Sequence, residues 1–363
     1  MDILTLVLFA LGFFLLSYGA DMLVKGAENI ATIMGISPLV VGLTIVAFGT
    51  SAPELAVNMQ AAWTGKPDLA IGNIVGSNIL NILLVLGIGA VIIPLGVHKR
   101  LVKIEIPLMI GASVLLLLLS LDGLLSRWDG LLLASGIVAY IIYTIRTCHE
   151  LKNPEEFCPD VELPEENLEK DFKTILMQVV FIVVGLGLLV LGSQWLVNGA
   201  VMVAKYFGIS ELVIGLTIVS IGTSLPEIAT VVVASRRGQQ ELVVGNVIGS
   251  NLFNILLVLG FTSLIAPNGI AVPHTAIVFD MPIMIAVAAA CLPIFFTGYL
   301  IERWEGILFL FYYLLYSLYL FLNVTSHSLL PAFNNMMFWF VIPITVMTLL
   351  AFVWESVKNG KEK

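Results

Sequence analysis

Two blocks of sequence occur twice in this chain. Gly42-Leu43-Thr44-Ile45-Val46 leads into Gly49-Thr50-Ser51-Ala52-Pro53-Glu54, and Gly215-Leu216-Thr217-Ile218-Val219 leads into Gly222-Thr223-Ser224-Leu225-Pro226-Glu227. A second block follows each: Gly72-Asn73-Ile74-Val75-Gly76-Ser77-Asn78-Ile79-Leu80-Asn81, then Gly245-Asn246-Val247-Ile248-Gly249-Ser250-Asn251-Leu252-Phe253-Asn254. The register holds without a gap from Gly19/Gly192 through Gly87/Gly260. A chain built this way must fold as two like units. Each unit carries one carboxylate inside apolar sequence, which makes that carboxylate the first candidate for function.

The solvent of those units follows from composition. Of 363 residues, 59% are hydrophobic and 12% charged, with mean hydropathy +1.03. Soluble domains carry about 25% charged residues. Apolar runs here reach the roughly 18–20 residues that cross a bilayer. The expected fold is an all-α polytopic membrane protein, and the net charge of −8 is not the signature of a nucleic-acid binder. Met1-Asp2-Ile3 offers no basic n-region, so the first apolar run is expected to be a true span.

Eleven spans are expected, near 3–24, 37–63, 69–94, 102–121, 128–147, 174–200, 210–235, 242–266, 275–298, 305–323 and 336–355. They group into a first five-helix repeat (1–147), an acidic linker (148–173), a second five-helix repeat (174–323), and an extra helix with a basic tail (324–363). With the N-terminus outside, the inner segments hold Lys25, Lys99, Arg100, Lys103, Arg146, Lys152, Lys170, Lys173, Arg236, Arg237, Arg303, Lys358, Lys361 and Lys363. The outer ones hold Lys66, Arg127 and Lys205. Basic residues favour the cytoplasmic side, so the N-terminus is expected outside and the C-terminus inside, in the cell (inner) membrane. Five spans separate the start of the two copies; five is odd, so the second copy enters from the opposite face. Inverted repeats are a transporter architecture. The linker, with Pro154, Pro159 and Pro164, reads as solvated, and Cys148, Cys158 and Cys291 as reduced bystanders. His98, His149, His274 and His327 fall in loops and linker, without recurring partners.

Glu54 and Glu227 fall mid-span, where a carboxylate costs at least a few kcal/mol unless it has partners or a task. No basic residue is expected at that depth to neutralise them. Thr50 and Glu54 lie four apart on one helix face, as do Thr223 and Glu227; Ser51 and Ser224 flank them. Ser77 with Asn81, and Ser250 with Asn254, repeat the spacing on the next span. Carboxylate, hydroxyl and amide oxygens suit Na⁺ or Ca²⁺ rather than zinc or copper. Pro53 and Pro226 deprive the carbonyls of Gly49 and Gly222 of their helical donors, and a bound cation would satisfy them, the plainer alternative being a proline kink capped by Ser or Thr hydroxyls. Gly72-x-x-x-Gly76 and Gly245-x-x-x-Gly249 read as close helix packing, and Asn73 and Asn246 as interhelical hydrogen bonds.

The doubled Gly-Thr-Ser-x-Pro-Glu and Gly-Asn-x-x-Gly-Ser-Asn-x-x-Asn blocks resemble the two α-repeats of the Na⁺/Ca²⁺ exchanger family, within the cation/Ca²⁺ antiporters. The resemblance covers the first ten spans and implies a compact prokaryotic-type exchanger. It implies that Glu54 and Glu227 bind Ca²⁺ and Na⁺, and that Thr50, Ser51, Ser77, Thr223, Ser224 and Ser250 line flanking Na⁺ sites. Asn81 and Asn254 would form the middle layer, joined by the backbone carbonyls of Ala47 and Ser220. The family's K⁺-dependent branch carries Asp where this chain has Asn254, which implies no K⁺ requirement. No cofactor, nucleotide, nucleic acid or protein partner is implied, and no enzymatic chemistry. Ca²⁺/H⁺ exchange at the same two glutamates is the open alternative. A passive cation channel or a non-transporting scaffold accounts less well for paired carboxylates within one chain.

Overall fold

The computed structural model describes residues 3–150, 171–207, 220–296 and 298–348. Its helices in chain order are α1 (Ile3–Met34), α2 (Pro38–Thr50), α3 (Ala52–Trp63), α4 (Leu69–Ile92), α5 (Leu101–Leu119), α6 (Arg127–Glu150), α7 (Phe172–Tyr206), α8 (Ser220–Thr223), α9 (Leu225–Arg236), α10 (Gln240–Ile265), α11 (Ala276–Phe296), α12 (Arg303–Val324) and α13 (Leu330–Thr348). Nine of the described helices are long and apolar enough to span a bilayer, and α2 with α3 form a further span bent by 40°. The first half of the span expected near 210–235, including Gly215 to Val219, lies outside the described residues. So do linker residues 151–170 with Cys158, and the last span and tail beyond 348.

Two helices outrun their expected ends. α1 continues past Lys25 to Met34, because Gly35, at φ +64°, is where the chain can turn left-handed. Its polar last turns are accommodated by neighbours. Asn29 donates to Gln178 Oε1 at 3.0 Å, and Gln239 donates to Glu28 Oε1 at 2.7 Å. α7 likewise starts at Phe172 and runs to Tyr206.

The inverted relation is visible where α1 crosses α7. A Cβ on Gly19 would lie 2.8 Å from the Gly185 carbonyl oxygen, and one on Gly12 2.9 Å from that of Gly192. Residue 12 thus meets 192 and residue 19 meets 185, so the helices run antiparallel. Gly12 and Gly185 are repeat mates, as are Gly19 and Gly192, so the crossing is symmetric about a pseudo-twofold axis. Lipid gives apolar helices no hydrophobic drive to associate; close backbone approach through small residues supplies the attraction instead.

The helices bearing the second block occupy the centre. Within their apolar stretches α10 is 94% buried and α4 78%, against 6% for α13. Gly245 and Gly249 bring α10 against α2, where Cβ atoms would lie 2.7 Å from the Leu39 carbonyl oxygen and 2.7 Å from the Ala47 Cβ. At the ends of the bundle, two short antiparallel pairs tie the halves together. Leu95–Gly96 (β1) pairs with Leu300–Ile301 (β4), and Leu124–Leu125 (β2) with Ile270–Ala271 (β3). Each joins loops of the same parity, as helices crossing the bundle alternately require. α13 lies outside this frame, against α12 through Leu315, Leu322 and Phe333.

Candidate ion-binding site

The helix carrying each glutamate is interrupted just before it. Ser51, at φ −81° and ψ 2°, separates α2 from α3; Ser224, at φ −92° and ψ 9°, separates α8 from α9. Pro53 and Pro226 thereby fall in a first helical turn, where a missing N–H costs nothing. Glu54 and Glu227 also sit in that turn, at the positive end of the helix dipole. The interruption is therefore what makes a carboxylate tolerable at this depth.

One expectation is corrected here. The Gly222 carbonyl does not wait for a cation: the Ser193 hydroxyl of α7 donates to it at 2.5 Å. The repeat mate of Ser193 is Ala20, so this cap belongs to the second copy alone.

Side chains from both copies converge. Ser224 donates to Glu54 Oε1 at 3.2 Å and lies 3.3 Å from the Ser77 hydroxyl. Thr223 donates to Asn73 Oδ1, and Thr50 to Asn246 Oδ1, each at 3.2 Å; Thr50 is also 3.3 Å from the Ser250 hydroxyl. Asn73 and Asn246 thus serve as hydrogen-bond partners of the threonines. The Ser224–Glu54 bond brings the helix break before Glu227 against the carboxylate of the other copy. Glu54, Glu227, Thr50, Ser51, Ser77, Ser224, Ser250, Asn81, Asn254 and Ala47 are essentially inaccessible, and Thr223 is buried. Ser220 opens α8; its side chain is outside the described residues. The Ala47 carbonyl accepts the Ser51 N–H at 3.1 Å.

Oxygen is left over in this cluster. Glu54 Oε2, both carboxylate oxygens of Glu227, Ser51 Oγ, and the Oδ1 atoms of Asn81 and Asn254 are buried without a hydrogen bond. Among the described residues neither glutamate pairs with a basic side chain. Buried polar atoms are normally satisfied, and oxygen acceptors of this kind could hold a cation. At Asn81 and Asn254 the helices also widen to i→i+5 turns, over Asn81–Leu86 and Phe253–Leu259. Such turns recur at functional positions.

Sequence reasoning passed over several partners. Asn58, four residues after Glu54, accepts the Asn73 amide at 2.9 Å and donates to the Ala70 carbonyl at 3.2 Å. The i,i+4 rule would have found it, but its repeat mate is Val231, so the search for doubled residues did not. Asn78 and Asn251 lie inside the repeated block and bridge the halves, with the Asn78 amide donating to the Asn251 carbonyl at 3.3 Å. Arg100, expected in an inner loop, is buried and paired with Glu105 at 2.8 Å at the head of α5.

Comparison with known proteins places this arrangement. A family model described as sodium/calcium exchanger protein matches residues 4–147 and 177–322. A putative antiporter, CaxA, of Alkalimonas amylolytica is 42% identical over 258 residues, covering 71% of this chain and 79% of that protein. The sodium/calcium exchanger MaX1 of Methanosarcina acetivorans is 31% identical over 343 residues, covering 86% and 97%. Among solved structures, the sodium-calcium exchanger NCX_Mj superposes with a TM-score of 0.74 at 33% identity, over 86% of this chain and 98% of that one.

Proposed function

From membership in the sodium/calcium exchanger protein family, to which this chain belongs, we propose that it is a secondary antiporter moving Ca²⁺ against Na⁺ by alternating access at the paired glutamates. Cation/Ca²⁺ antiport, not enzymatic catalysis, is the family's work. The observation that carries the finer reading is the set of buried oxygens without a hydrogen bond around Glu54 and Glu227, drawn from both copies and, among the described residues, without an ion pair to a basic side chain.

In this reading Glu54 and Glu227 hold Ca²⁺ or share several Na⁺. Thr50, Ser51, Ser77, Thr223, Ser224 and Ser250 supply hydroxyls, Asn81 and Asn254 amide oxygens, and Ala47 and Ser220 backbone carbonyls. The two ionised carboxylates carry a charge of about −2, which one Ca²⁺ neutralises. Na⁺ competes for the same oxygens, so the two ions exclude one another. With the site empty, an uncompensated double charge would have to face the low-dielectric interior, which disfavours turning without cargo. Exchange rather than leak is the consequence. The sorting of Lys and Arg supports an N-terminus outside and a C-terminus in the cytoplasm.

Counterflow in reconstituted vesicles tests this directly. ⁴⁵Ca²⁺ uptake should follow an outward Na⁺ gradient, with no K⁺ added and no pH gradient. Uptake driven only by a proton gradient would assign Ca²⁺/H⁺ exchange instead, and a strict K⁺ requirement would overturn the role given to Asn254.

A further inference from the structure

The two copies share their letters at the centre of the molecule but not their hydrogen bonds. Asn254 Nδ2 donates to Asn78 Oδ1 at 3.0 Å, and Asn78 Nδ2 donates to the Asn251 carbonyl at 3.3 Å. Rotation about the pseudo-twofold axis turns this chain of bonds into Asn81 to Asn251, and Asn251 to the Asn78 carbonyl. Neither of those mirror bonds is made: both amide atoms of Asn81, and both of Asn251, are buried without a partner. All four side chains are at most 2% exposed. The hydroxyl layer leans the same way. Ser224 donates to Glu54, while its mate Ser51 and both oxygens of Glu227 have no hydrogen bond.

Idle oxygens at Ser51, Glu227 and Asn81 are accounted for by an ion; the Asn81 amide N–H is not. Asn251 is not among the proposed ligands, and its amide is idle while its mate Asn78 is engaged at both ends. Residue identity cannot cause this difference, because both positions are Asn at the same place in the same motif. Conformation makes like residues unequal when the molecule occupies one of two arrangements related by exchange of the halves. In an inverted-repeat transporter, exchanging the conformations of the two halves generates the state open to the other face.

We propose that Asn78 and Asn251 are the two arms of a bistable amide relay, whose hydrogen bonds pass from one arm to the other as the transporter turns between membrane faces. The inference rests on the alternating-access reading above. In the arrangement seen here Asn78 is bonded and Asn251 idle; in the opposite one Asn251 donates to the Asn78 carbonyl and accepts from Asn81. The side chains act as positioning residues: they touch no cargo and set the balance between two states. Removing the bonded arm penalises the state it serves and leaves the other untouched.

Two variants, N78A and N251A, therefore differ in sign. State populations are read without transport from the distance between spin labels at W63C and F207C, in a background lacking the three native cysteines. Trp63 ends α3 and Phe207 follows α7, and both are strongly exposed. N78A should shift the ratio of two distance populations about tenfold away from the arrangement described here, and N251A about tenfold toward it. The double variant should return near the wild-type ratio. In oriented vesicles the same shifts should appear as opposite changes in apparent Ca²⁺ affinity on the two faces. If the alanine variants do not fold, N78S and N251S take their place. Shifts of equal sign, or a single population unmoved by either substitution, would overturn the relay. The label distances need no counter-ion, so a protein that fails to exchange Na⁺ can still show the relay, and one that exchanges Na⁺ can still refute it.

Discussion

At the residue scale, the two carboxylates differ in their surroundings though not in their sequence context. Glu54 has one oxygen fixed by Ser224 and one idle; Glu227 has both idle. Charge is what either contributes to a cation, and an amide keeps shape without charge. Glu54→Gln and Glu227→Gln are therefore each expected to bring Na⁺-driven ⁴⁵Ca²⁺ flux close to background while the protein still inserts; wild-type flux from either would remove the site. Asn58 acts one step further out, by fixing Asn73, which in turn accepts Thr223. Residues that orient ligands typically matter 10–100-fold in metal affinity. Asn58→Ala should accordingly raise the half-saturating Na⁺ or Ca²⁺ concentration about tenfold, with maximal flux less affected.

At the element scale, the interrupted helices and the glycine-lined crossing have separate tasks. The breaks at Ser51 and Ser224 turn a mid-membrane proline and glutamate into first-turn residues, where both are tolerated. Repeat mates Gly65 and Gly238 end α3 and α9 in the same left-handed conformation, at φ +68° and +75°. The α1–α7 crossing depends on the absence of side chains. A methyl group on Gly185 would lie 2.7 Å from the Gly19 carbonyl oxygen, and that oxygen belongs to backbone that cannot step aside. Overpacking of this kind costs about 1–3 kcal/mol. Gly185→Ala should lower the thermal unfolding midpoint in detergent and slow exchange, whereas Gly187→Ala, which meets nothing within 4 Å among the described residues, should do neither.

At the scale of the whole molecule, the other eight long apolar helices, the bent α2–α3 span and α9 make a closed frame among the described residues, and α13 stands outside it. β1–β4 and β2–β3 lock loops of like parity at the two ends, and the central α4 and α10 fill the middle. α13 touches α12 through Leu315, Leu322 and Phe333, with a further Tyr312–Thr345 hydrogen bond. None of the ligand candidates is on either helix. Deleting residues 330–363 should therefore leave Na⁺-driven Ca²⁺ flux per inserted molecule within about twofold of the full chain, since substitutions and losses remote from a site leave it additive. A complete loss of flux with normal insertion would show that α13 belongs to the working unit.

The number of repeats, their opposed orientation and the paired glutamates could be read from the chain alone. Lipid imposes them: apolar runs must be helices of bilayer length, an odd number of them inverts the second copy, and a carboxylate in such a run stands out by its cost. What the two copies share, a repeat search finds. It is blind to what they do not share. Ser193 caps Gly222 where Ala20 cannot; Asn58 supports Asn73 where Val231 leaves Asn246 half-satisfied; Arg100 folds under α5 onto Glu105. Asn78 and Asn251 have the same letter and opposite states. Those differences exist only through space, because identical sequence in two halves becomes unequal when the halves pack against each other in one of two possible arrangements.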